Sequence, residues 1–161
     1  MRIDHPDFKR MEDSLNARSK LSDPNPVNRE EWGFFGRRDP TAPNGIKFDP
    51  PSAWFTDNNP CTVTIPVPTD PNIVVVIHSH PSYKNENVTF ACNDPNLLPY
   101  NPNSNGGGSV ADWTYARLFL PVYAVSPQEI HELTGNVSVN DQSKNRLRWR
   151  KQKSGCWAYK P

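Results

Sequence analysis

Apolar and polar positions change rhythm several times along this chain, and each change marks an element. From His5 to about Leu21, Phe8, Met11 and Leu15 recur at three- and four-residue spacing, the narrow stripe of a helix that packs by one side. Asp4 stands where a cap belongs, with Pro6 in the first turn, and Asp23-Pro24-Asn25-Pro26 ends the pattern. Residues 28–38 carry Trp32, Phe34 and Phe35, which predicts a strand. Residues 39–59 are punctuated by Pro40, Pro43, Asn44-Gly45 and Pro50-Pro51 and read as loop. Thr62 to Val67 reads as a short strand, confined to an edge or bulge by Pro66.

Ile73-Val74-Val75-Val76-Ile77 is an unbroken apolar, mostly β-branched run, the mark of a fully buried strand. Residues 82–108 show little periodicity, and so long an irregular connection within a domain is usually functional. Helical spacing returns from Ser109 to about Phe119, with Trp113, Ala116 and Leu120 on one side. Pro121 to Ser126 reads as a further strand. Ser126-Pro127-Gln128-Glu129 has the form of a capping box opening a short helix to Leu133. Arg146-Leu147-Arg148-Trp149-Arg150 alternates like an edge strand. No repeat or linker divides the pattern, so 1–161 reads as one domain mixing strands and helices.

Composition narrows the partners. The chain has 35% hydrophobic residues, 18 prolines and 8 glycines, which leaves a modest core under many loops. Lys and Arg total 18 against 17 Asp and Glu, a balance that argues against a polyanionic partner such as nucleic acid. No apolar run is long enough to span a membrane, and the start, Met1-Arg2-Ile3-Asp4-His5-Pro6, has no signal-peptide core. The expectation is a chain that stays in the cytoplasm or is delivered by a route other than a cleaved signal. Cys61, Cys92 and Cys156 form no Cys-x-x-Cys pair, so thiolate zinc binding is not expected; a Cys61–Cys92 bridge stays open if the protein works outside the cell.

The candidate chemistry starts where the apolar run ends, at His78-Ser79-His80-Pro81. Alternate residues of a strand share a face, so both imidazoles leave it on the same side, and two adjacent imidazoles are half of a zinc site. Asp112 is the candidate third ligand. Ser109-x-x-Asp112 also has the form of a helix start, and the two readings are compatible, because a carboxylate in the first turn can face a metal. If Ser109 and Asp112 serve only as a cap, another acid such as Asp94 would complete the set. His5 and His131 read as surface residues, the latter on the short helix with Glu132.

The order His78-Ser79-His80-Pro81, then Ser109-x-x-Asp112, resembles the signature of the JAB1/MPN (JAMM) zinc metallopeptidases. That resemblance implies a glutamate upstream at the start of a strand, and Glu30-Glu31-Trp32-Gly33-Phe34-Phe35-Gly36, preceded by a helix, is similar to that element. The pattern E-x-x-G selects Glu30, with Glu31 the alternative. The implied fold is α+β (α/β), a single JAMM/MPN-like, cytidine-deaminase-like domain with a central mixed sheet, flanking helices and residues 82–108 as a long inserted loop over the cleft. The implied roles are zinc on His78, His80 and Asp112, Glu30 as proton acceptor and donor, and the Ser109 hydroxyl as oxyanion donor. The implied reaction is hydrolysis of an amide or isopeptide bond in a peptide, a protein conjugate or a peptidoglycan stem. The layout resembles most the bacterial branch found at the ends of secreted toxins and effectors, which implies a carrier or immunity protein as a further partner.

Two other classes compete. A metal-dependent nuclease would draw on Arg146, Arg148, Arg150, Lys151 and Lys153 with Trp149 and Trp157, although such a run is more often a solvated edge strand kept from aggregating by its charge. A metal-free binding scaffold of the same fold is the other, and the full set of ligand types counts against it.

Overall fold

The apolar run Ile73–Ile77 becomes an interior strand, because its backbone can hide from water only with a hydrogen-bonded neighbour on each side. The computed structural model describes residues 5–25, 28–52, 64–80, 110–127, 129–135, 147–152 and 157–160. In chain order these form α1 (His5–Ser19), β1 (Gly33–Arg38), β2 (Ile46–Phe48), β3 (Ile73–Ser79), α2 (Val110–Leu118), β4 (Val122–Val125), β5 (Glu129–Leu133), β6 (Leu147–Lys151) and β7 (Trp157–Lys160). The strands make one seven-stranded sheet in the order β2-β1-β3-β4-β5-β6-β7. β3 and β4 are parallel, with α2 between them in the chain, and every other pair is antiparallel. The class is α+β with a mixed sheet.

The period-two alternation of β3 divides the core into two clusters. Val75 and Ile77 lie with Phe8, Met11 and Leu15 of α1, together with Phe34 and Tyr123. Val76 lies with Tyr115 and Ala116 of α2, together with Val122 and Leu133. The stripe read from the sequence is therefore the buried side of α1. The helix stops at Ser19 rather than Leu21, where Lys20 turns left-handed at φ 52°, a common way for a helix to end.

Four expectations change. Residues 46–48, read as loop, form β2 against β1; Asn44 and Gly45, at φ 53° and 70°, reverse the chain into it, the positive-φ pair that Asn-Gly supplies at little steric cost. The described part of the expected strand at 62–67 has no ladder; Tyr115 holds it instead by donating its hydroxyl hydrogen to the Pro66 carbonyl at 2.9 Å. The expected helix to Leu133 is β5. Ser126 Oγ does accept the Glu129 N–H at 3.0 Å, as a cap would, but the Ser126 N–H goes to the Glu129 carbonyl at 2.8 Å and closes a hairpin turn. Local side-chain bonds of this kind serve turns and helix starts alike. Finally, β6 is an interior strand, because β7, which the sequence reading missed, pairs along its outer side.

Candidate metal centre

β3 carries His78 and Ser79 at its C-terminal end, with His80 one residue beyond. The site end is held by the parallel ladder, in which His78 faces Ala124 and Ser79 faces Val125, and by the His80 N–H, which donates to the Val125 carbonyl at 2.8 Å. Alternation puts His78 and His80 on the side of Val76, the side that α2 covers. The two rings are tilted at 56° with centroids 4.7 Å apart. Asp112, in the first turn of α2, comes down on them, where the partial positive charge of a helix start favours a carboxylate.

The contact is two-pronged. Asp112 Oδ1 lies 3.1 Å from His78 Nε2 and Oδ2 lies 3.4 Å from His80 Nε2. All three residues are buried, and one donor atom from each lies within 4.8 Å of the others. This is a group that could hold a metal ion. Burial pushes the Asp112 carboxyl up, but the charge of His78 beside it, followed by that of His80, outweighs burial and holds the acid well below its ordinary 3.8.

Two observations test whether a metal fits. His78 is 1% exposed, yet neither of its ring nitrogens has a hydrogen-bond partner among the described residues; at 3.1 Å the Nε2–Oδ1 pair is close without being aligned. A buried polar atom without a partner costs about 1–3 kcal/mol, so this enclosed imidazole calls for an explanation, and a cation between the donors would supply one for the ring nitrogen that faces Asp112. The spacing is of the right order: one donor atom from each residue lies within 4.8 Å of the others, where two ligands about 2.0–2.1 Å from one tetrahedral ion stand about 3.3–3.4 Å apart. Two imidazoles and a carboxylate also make a three-ligand set of the kind catalytic zinc uses.

Glu30 is not part of that donor group. It lies just before β1, the strand neighbouring β3, with its N–H on the Ser19 carbonyl at 3.0 Å and its Oε2 accepting the Trp32 indole N–H at 3.0 Å. Glu31 is half-buried on the same segment. Ser109, Asp94, the three cysteines and the 82–108 connection lie outside the described residues. His131, expected at the surface, is fully buried on β5 with Nε2 3.0 Å from Glu129 Oε2. Its row in the sheet runs His78–Ala124–His131, so a third buried histidine sits two strands from the candidate metal group. The misread helix at 126–133 hid it.

No helix among the described residues is long and apolar enough to cross a membrane. Compared with known proteins, the chain matches no family model, no curated protein and no solved structure.

Proposed function

We propose that this protein is a zinc-dependent hydrolase of the JAMM type that cleaves an amide or isopeptide bond. The observation that carries the reading is the buried His78–His80–Asp112 group, with an imidazole that has no other partner. The order of elements supports it: a helix, a strand preceded by Glu30, a buried strand with the two histidines at its C-terminal end, and a helix carrying the acid.

His78, His80 and Asp112 would hold the ion. When bound there, zinc supplies Lewis acidity, bringing the pKa of water from ~15.7 to about 7 and polarising a carbonyl. The remaining work falls to the chain. The Glu30 carboxylate takes a proton from the attacking water and returns it to the departing amine nitrogen, a role worth about 10²–10⁴-fold. The Ser109 hydroxyl donates to the oxyanion, a contribution on the order of 3 kcal/mol where such donors have been removed. The substrate is a peptide, a protein conjugate or a peptidoglycan stem.

The test is zinc content followed by hydrolysis. The purified chain should carry about one zinc, lost in His78→Ala. Zinc-loaded protein is then offered an isopeptide-linked ubiquitin dimer, a peptidoglycan stem peptide and casein. Glu30→Gln should keep the metal and lose the cleavage. A wild-type chain that binds no zinc, or cuts none of the three, sinks the reading.

A further inference from the structure

The residue between the two histidines points the other way, and what it holds is the segment carrying the proposed base. Ser79 is fully buried. Its Oγ accepts the Trp32 backbone N–H at 2.9 Å and has two carbonyls within reach of its one hydrogen, Glu30 at 3.1 Å and Trp32 at 3.3 Å. Its own N–H goes to the Trp32 carbonyl at 2.9 Å. Residues 30–32 precede Gly33, where the β1–β3 ladder begins, so these Ser79 bonds extend the strand pairing past its last regular rung. Trp32 then completes the connection: its indole N–H donates to Glu30 Oε2 at 3.0 Å, while its ring packs against the α1-side core and lies 5.5 Å beneath the Arg18 guanidinium.

We propose that Ser79 and Trp32 are positioning residues for Glu30: the hydroxyl fixes the Glu30 backbone on the strand that carries the metal donors, and the indole holds one carboxylate oxygen so that the other is presented to water. The proposal rests on the reading of Glu30 as the base. The physical reason is that a general base acts only when its oxygen is held within hydrogen-bond reach of the proton it takes, and a misplacement of about 1 Å can cost about 100-fold. A glutamate has three rotatable side-chain bonds. Anchoring its main chain at one end and one oxygen at the other removes most of that freedom, and a hydrogen bond to a carboxylate is among the stronger ones. Strand alternation separates these contacts, because in His-Ser-His the outer two residues face Asp112 and the middle one reaches the backbone of residues 30–32.

The experiment uses the zinc-loaded full chain and whichever of the ubiquitin dimer, stem peptide and casein it cuts. Trp32→Phe and Ser79→Ala should each lower kcat about 10-fold with KM within about 2-fold and zinc content unchanged, the pattern of an interaction used in the transition state. Ser79→Thr, which keeps the hydroxyl, should restore most of the rate. A second readout needs no turnover: in ¹⁵N-labelled protein the indole signal that disappears in Trp32→Phe should move in Glu30→Gln. Full kcat in both Trp32→Phe and Ser79→Ala while Glu30→Gln is dead, or an indole signal indifferent to Glu30, overturns the positioning roles and leaves the base in place. A fully active Glu30→Gln, or a wild-type chain that cuts none of the probes, overturns the base and the positioning roles with it.

Discussion

Replacing His78 by alanine separates the metal's contribution to stability from that of the side chain. Without metal, the substitution removes a buried imidazole that stands 3.1 Å from a buried carboxylate. Breaking a buried pair costs about 3–5 kcal/mol, and because this pair is not aligned as a hydrogen bond the loss should fall at the low end, about 3 kcal/mol. With zinc at 100 times its dissociation constant, the wild-type chain should gain about 2.7 kcal/mol. For a chain of this size that is a rise in Tm of about 5–11 °C. Losing a ligand should weaken zinc at least as much as losing an outer-shell partner does, about 100-fold at the upper end. The same zinc concentration then equals the dissociation constant, and the gain shrinks to about 0.4 kcal/mol. Urea unfolding of both proteins, with zinc and with chelator, gives the four free energies. The double difference, about 2.3 kcal/mol, is the quantity to read. It cancels zinc taken up by Cys61, Cys92 and Cys156 in the unfolded chain, since both proteins share them. Equal zinc-induced gains in wild type and variant would refute the assignment of His78 as a ligand.

Two further outcomes follow from the same geometry. Asp112 is held below its ordinary 3.8 in the folded state, so without metal its contribution is complete above that value and is lost as pH falls through the lower folded one; Asp112→Asn should flatten the acid limb of stability below about pH 4, measured by urea midpoints in chelator, and an unchanged limb would show that the charge is not held. Gly36→Ala should destabilise by about 1–3 kcal/mol, the range for overpacking a core, because a Cβ there would run into Val75 Cγ1 and stand 3.1 Å from Ile46 Cγ2; a lower urea midpoint with no change in zinc content is the expected result, and an unchanged midpoint would mean that the β1–β3 contact gives way freely.

Much of the metal group was legible because its signals are local. Five apolar residues in succession require a buried strand, period-two alternation sends His78 and His80 to one side, and a serine three residues before Asp112 announces a helix start. Each of these depends on backbone periods that hold wherever the strand ends up. The same locality explains the failures. Ser126 and Glu129 make nearly the same contact in a hairpin turn as in a helix cap, so five residues of β5 could not be told from a helix, and His131 was sent to the surface. Ile46–Phe48 is too short to show a period. β6 carries the charges of an edge strand and lies inside the sheet because β7 follows it.

What the residue order alone determined is which side chains leave one strand together. What only the tertiary structure decided is which strand and helix ends meet. The parallel β3–β4 pair with α2 between them brings Asp112 onto the two imidazoles, and the antiparallel β1–β3 ladder lays Glu30 and Trp32 beside Ser79, 49 and 47 residues away in the chain. The reason is physical: alternation is a property of the local backbone, whereas juxtaposition across such separations is set by the pairing and burial of the whole sheet.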